Sequence, residues 1–367
     1  MKIKILEQFN IYKNPSPELL SRQAAFPGVI QLPDGNLLAM FAIGQAFESA
    51  DMRTFVSHSK DVGKTWSEPA LIYNQEQLKL GYELSECYKP TLLSNGSIVA
   101  VGYGFQRPKP NVPIVNSVAQ TFLPGKNMAS ISLNGGNEWE IPQDMSLDTA
   151  YMLEISGPCI QLKSGRLVAV GAEFTLDPTK QCGRVVCSDD NGKTWKKLSV
   201  YCQSPKGNIA SWESRICQIA SDRLAIIFWA YDTLNQKHLT NQIVVSDDGG
   251  LSWSDFIDTG IMAQASNMFY LGDNKLLTIH AHRAENPGLY LRLAKLKNNQ
   301  FIVDSETVIW SGQSVQNKSQ NIKQQFASLR FGQPSLVRLN DGSFLSAYWC
   351  FEDCIYIIKA HRLEISI

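Results

Sequence analysis

The sequence predicts an all-β chain, a six-bladed β-propeller of four-stranded antiparallel blades, and three observations predict it. An octet of the form S-x-D-x-G-x-T-W recurs along the chain, a strand–turn–strand pattern occurs six times, and the first residues alternate as a strand does. Repeats at this period signal an architecture in which one supersecondary unit is copied around an axis.

The octet is clearest at Ser188-Asp189-Asp190-Asn191-Gly192-Lys193-Thr194-Trp195. Close copies run from Ser59 to Trp66 and from Ser246 to Trp253, and a weaker one, with Asn134 at the Asp position, from Ser132 to Trp139. Every conserved type in it is turn chemistry. The Asp accepts from backbone amides two residues on, the Gly supplies a positive φ, Ser or Thr closes the turn, and the Trp folds back as an apolar lid. The octets are therefore read as fold determinants rather than as active-site residues.

The second repeat is an apolar strand, a tight turn and another apolar strand. It spans Gln31 to Phe41 turning at Asp34-Gly35, Leu92 to Tyr103 at Asn95-Gly96, and Gln161 to Ala172 at Ser164-Gly165. It recurs from Gln218 to Trp229 at Asp222-Arg223, from Tyr270 to Ala281 at Asp273-Asn274, and from Arg338 to Trp349 at Asp341-Gly342. Continuous apolar runs of this length belong to strands buried on both faces. Where both signals survive, the hairpin precedes the octet, so each unit reads as strands A to D with the hairpin at the A–B turn and the octet at the C–D turn. The alternating N-terminal run Ile3 to Phe9 is expected to pair beside Ile355 to Ile365 and close the last blade. No Gly/Ser/Pro linker interrupts the repeats, so residues 1–367 read as a single domain. Pro108 to Pro113 forms a long loop in the second blade, and Ser311 to Gln325 is a polar insertion before the last.

Lys plus Arg and Asp plus Glu are both 34, for a formal net charge of zero, and no basic stripe is present, which excludes duplex nucleic acid as an expected partner. No segment reaches transmembrane length, and the N-terminus lacks the apolar run of a signal peptide, so a cytoplasmic location is expected unless a leader has been removed. The eight cysteines fall without framework spacing, several inside apolar strand runs, as reduced buried thiols do. Cys350 with Cys354 and His280 with His282 are more often core or rim residues at strand spacing than metal ligands; no metal and no cofactor are expected.

Strand direction alternates, so the octets share one face with the A–B turns, and the strand A starts and B–C loops lie on the other. The strand starts carry Arg22, Gln23, Glu83, Glu86, Tyr88, Glu154, Ser156, Trp212, Glu213, Arg215, Ser266, Asn267, Phe331 and Gln333, and the residues after strand B include Gln45, Glu48, Asp51, Arg107, Glu173, Tyr231, His282 and Arg283. Carboxylates, arginines and aromatics recurring at narrow inner ends predict a polar pocket there.

These octets and six hairpins resemble the sialidase (neuraminidase) superfamily, six-bladed propellers whose octets are called Asp boxes or BNR repeats. The resemblance covers nearly the whole chain. It implies three arginines for a substrate carboxylate, an Asp acid/base before the first octet, and a tyrosine nucleophile paired with a glutamate. On that pattern Arg22 resembles the first arginine, Asp51 the acid/base, Glu213 in Ser211-Trp212-Glu213-Ser214-Arg215 the mid-chain glutamate, and Arg283 or Arg292 a later arginine. Two departures stand out. The arginine expected at the end of the fourth hairpin is replaced by Phe228-Trp229-Ala230-Tyr231, and no tyrosine stands near Gln333 where the nucleophile belongs.

The expected function is a sialidase-like glycoside hydrolase acting through carboxylates on a carbohydrate or glycoconjugate, the sugar being anionic or polyhydroxylated. Asp51 or Glu86 is the proton donor, Glu213 or Glu154 its partner, and Arg22, Arg215, Arg283, Tyr88, Trp212 and Gln333 bind the sugar. A rim ion pair between Glu213 and Arg215, two apart on one strand face, is the structural alternative. A second reading is a non-catalytic propeller that binds a glycan or a protein; a third, sugar-acid lyase or isomerase chemistry, requires a base such as Tyr88 or His282.

Overall fold

A computed structural model describes residues 2–116, 121–312 and 329–366. Six antiparallel sheets follow one another in the order the repeats predict. Their inner strands, A, are Gln23–Gln31, Glu83–Leu92, the broken pair Leu153–Glu154 and Ile160–Gln161, Ile209–Gln218, Ser266–Gly272 and Phe331–Arg338, in blades 1 to 6. In blade 6 the outermost strand is Lys2–Tyr12, which pairs antiparallel with Ile355–Ser366 with Ile3 opposite Ile365, so the N-terminal strand closes the last blade.

The packing explains why the B strands are continuously apolar. Along Leu37–Gly44, the side chains of Leu37, Ala39, Phe41 and Ile43 enter the core shared with blade 6, and Leu38 and Met40 enter the core shared with blade 2. Blade 4 repeats this, with Leu224, Ile226 and Phe228 toward blade 3 and Ala225 and Ile227 toward blade 5. A period-2 strand sandwiched between two neighbouring sheets has no polar face to keep.

All four octets sit at C–D turns. In the first, Asp61 accepts from the Thr65 amide (2.9 Å) and hydroxyl (2.6 Å), the Gly63 amide donates to Ser59 Oγ (2.7 Å), and the Trp66 indole donates to the Gly63 carbonyl (2.9 Å). The Asp thus reaches an amide four residues on, rather than two, because the loop curls around the carboxylate instead of making a local Asx turn. Asp190 repeats the clamp on Thr194, and Trp195 is buried as the expected lid.

Blade 3 departs from a continuous inner strand. Ile155 to Cys159 leaves the ladder around Gly157-Pro158, where proline has no amide to donate and the chain passes close to Arg215. The Pro108–Pro113 loop leads into a short hairpin, Val115–Asn116 with Thr121–Phe122, over the same end of the ring. The Ser311–Gln325 insertion lies, from residue 313 on, outside the described residues. Among the described residues, no helix is long and apolar enough to cross a membrane.

Candidate functional site

At the end of the ring opposite the octets lies a cavity of about 200 Å³. Glu86 and Cys87 of blade 2, Glu154 of blade 3, Trp212 and Glu213 of blade 4 and Gln333 of blade 6 reach it from inner strands, and Phe47, Glu48, Met52, Glu173 and Phe174 reach it from strand B ends and B–C segments.

A device repeated in three inner strands aims side chains into it. The ladders of blades 1, 4 and 6 each carry an irregularity at the same place, between Ala25 and Gly28, Trp212 and Arg215, and Gly332 and Ser335. In each, the first unpaired residue adopts a left-handed backbone: Phe26 (φ 62°), Glu213 (φ 50°) and Gln333 (φ 41°). This conformation costs a residue with a Cβ about 1–3 kcal/mol, and bulges of this type re-aim side chains. All three line the cavity.

Glu154 and Glu213, from neighbouring blades, are joined through a backbone amide. The Glu213 amide donates to Glu154 Oε2 at 3.2 Å. Burial, and then the nearby charge of Glu213, push the Glu154 carboxyl up to about 8. Glu213 Oε2 is buried without a hydrogen-bond partner, 3.9 Å from Arg283 Nη1. Glu86 is held differently: one of its oxygens accepts from both Tyr73 (2.6 Å) and Tyr88 (2.8 Å), and burial outweighs those bonds to raise it to about 7. Glu173 pairs with Arg184.

A second hollow, about 450 Å³, lies between Leu71 and Glu83 and includes Tyr73 and Arg53. Of the four expected catalytic carboxylates it contains none, whereas Glu86, Glu154 and Glu213 converge in the first.

No family model matches the chain, and no curated protein matches it by sequence. Solved structures do match. A protein of unknown function from Dyadobacter fermentans is 21% identical, with a TM-score of 0.75 and 99% of each chain covered. The Hadza microbial sialidase Hz136 is 14% identical over 97% of this chain and 68% of its own, with a TM-score of 0.71. The NanB sialidase from Streptococcus pneumoniae is 14% identical over 96% and 70%, with a TM-score of 0.65. The fold is that of these sialidases. At such identities the likeness carries fold alone, and the chemistry rests on this chain's own residues.

Those residues divide sharply. Glu86, Glu154, Glu213, Trp212 and Gln333 line the cavity. Tyr88 is fully buried behind it as a donor to Glu86. Arg215 is buried and Arg283 part-buried, both outside the lining: Arg215 donates to Ser156 Oγ (3.1 Å) and the Ser214 carbonyl (2.9 Å), so the expected Glu213–Arg215 rim pair does not form. The bulge is the reason, since it breaks the alternation that would place residues two apart on one face.

Asp51 and Arg22 fall outside the lining. Asp51 accepts from the Gln45 amide (3.2 Å), tying its own loop, and Arg22 is exposed beside Tyr12. Arg292 is engaged by Glu306 and by His282 Nε2 (2.9 Å). Sequence reasoning missed Tyr103, whose phenol enters from strand B of blade 2, and the wall formed by Phe26, Phe47, Phe105, Phe122 and Phe174. Their apolar types, inside or near apolar runs, carry no signal that separates wall from core.

Proposed function

We propose that the protein is a glycoside hydrolase of sialidase-like fold in which Glu154 is the general acid and Glu213 its partner carboxylate, with no tyrosine from the last blade taking part. The observation that carries this reading is a pair of glutamates brought into one cavity: the Glu154 carboxyl, pushed up to about 8, accepts from the Glu213 amide, and Glu213 Oε2 lies 3.9 Å from the Arg283 guanidinium. A carboxyl that keeps its proton near neutral pH is suited to act as the general acid. Glu154 then protonates the departing glycosidic oxygen while a water, whose proton passes to Glu213, adds to the anomeric carbon, and the Glu213 carboxylate also faces the positive charge that develops there. Relative to the sequence expectation, the donor role moves from Asp51 or Glu86 to Glu154, since Asp51 lies off the cavity and Glu86 is held by two phenols. The sialidases among its structural neighbours support a carbohydrate ligand.

A panel of 4-methylumbelliferyl glycosides tests the assignment. Glu154→Gln and Glu213→Gln are each expected to lower turnover by about 100- to 10,000-fold, and Asp51→Asn to leave it within a few-fold. Wild-type activity in both glutamine variants would overturn it. The wall of aromatic rings favours a second reading, a sugar-binding propeller without turnover; binding with no release from any panel member would select it.

A further inference from the structure

The charges and unpartnered atoms around the cavity narrow the class of sugar, provided the cavity is the sugar site proposed above. Five glutamates line it, Glu48, Glu86, Glu154, Glu173 and Glu213; among the described residues, no arginine, lysine or histidine does. The cations that approach from behind are turned onto protein oxygens. Lys89 Nζ donates to the Phe26 carbonyl at 2.6 Å, and Arg215 is spent on Ser156 and Ser214. Arg283 donates to the Phe331 carbonyl (2.9 Å) and Gln264 Oε1 (2.7 Å), its guanidinium 5.8 Å from the rings of Trp229 and Phe331. Its unpartnered Nη2 lies against Gly332 rather than in the lining. An entering carboxylate would therefore meet no directed cation in the lining and would leave its own desolvated charge unpaired.

The atoms that lack partners point the same way. Glu213 Oε2 and Gln333 Oε1 are acceptors without a hydrogen bond, on residues only 8% and 5% exposed and both in the lining, and the cation facing Glu213 Oε2, Arg283 Nη1, stands 3.9 Å away, beyond hydrogen-bond reach. Buried acceptors are normally satisfied, and a ligand hydroxyl is a donor of the right kind. The Glu154 carboxyl, which burial pushes up to about 8, can donate in return. Trp212, held by Tyr231 at 5.0 Å and 21° and by Trp229 edge-on, adds an aromatic side chain to the lining, a residue type that suits the C–H face of a sugar ring.

We propose that the cavity takes an uncharged, hydroxyl-bearing sugar ring and excludes sugars that carry a carboxylate, uronic and sialic acids alike.

Matched pairs test this directly. Calorimetric titration with the methyl glycosides of glucose, galactose and mannose, each against its uronate, and with N-acetylneuraminate, should show at least one neutral ring binding about tenfold or more tighter than its uronate and than N-acetylneuraminate. Gln333→Leu should weaken that binding by about tenfold while the melting temperature stays level or rises, because an unpartnered acceptor has been removed. Glu48→Lys, at an exposed rim position, should raise uronate affinity by about tenfold. A uronate or N-acetylneuraminate binding as tightly as the neutral rings, or no neutral ring binding at all, would overturn the proposal. Turnover is read separately. Neutral binding without glycoside release refutes the hydrolase reading and leaves the ring class standing, whereas preferred release from a sialoside does the reverse.

Discussion

Glu154 holds its proton at neutral pH because it is buried and because Glu213 places negative charge beside it. Two pH dependences follow. Turnover that needs a protonated Glu154 is expected to decline as pH rises through about 8, which a pH–kcat profile of the wild type would reveal. Stability has the same sign. The folded value lies above the ordinary carboxylate value, so the stabilising contribution is complete below the unfolded pKa and is lost as pH rises through about 8. The loss at full ionisation is on the order of 3–5 kcal/mol for a group buried this deeply. Thermal unfolding at pH 5 and pH 9 should show Glu154→Gln losing less stability across that interval than the wild type. An equal loss would place the titrating group elsewhere.

At the scale of elements, the octets hold blades in register and take no part in the pocket. Asp190→Ala removes the bonds to the Thr194 amide and hydroxyl and to Ser188, and is expected to cost about 1–3 kcal/mol with turnover unchanged. Two glycines of the same blade separate strain from crowding. Gly192 (φ 90°) would place a Cβ 2.9 Å from Val99 Cγ1, whereas Gly165 (φ 89°) has nothing within 4 Å. Gly192→Ala should therefore lower the denaturant midpoint more than Gly165→Ala. Equal shifts would mean that backbone strain alone governs both positions.

The whole ring depends on a strand from the far end of the chain. Lys2–Tyr12 covers the edge of Ile355–Ser366 and buries Ile11 and Tyr12 in the core between blades 6 and 1. Removing residues 1–12 would expose that edge and open the core, and exposed edges recruit other chains. The truncated chain is expected to melt roughly 10 °C lower or more and to self-associate on size-exclusion chromatography. A monomer with the wild-type melting temperature would show that closure does not need this strand.

The blade number, the C–D position of the octets and the pairing of the N-terminal strand were legible in the sequence, because each depends on local chemistry: turn residues at fixed offsets and apolar runs of strand length. So was the end of the ring that carries the cavity, which follows from strand direction alone. Which side chains meet was not. The bulges at Phe26, Glu213 and Gln333 break the two-residue period, and nothing in Trp212-Glu213-Ser214-Arg215 announces that Glu213 turns into the cavity while Arg215 turns onto Ser156. Asp51 and Arg22 sit at positions the repeat makes plausible, yet loop geometry carries them away from the lining. Turns and periodicity are properties of short stretches, and so the chain by itself determined the propeller. Protonation and charge balance belong to groups brought together from separate blades, and only the closed ring decided that Glu154 keeps its proton beside Glu213.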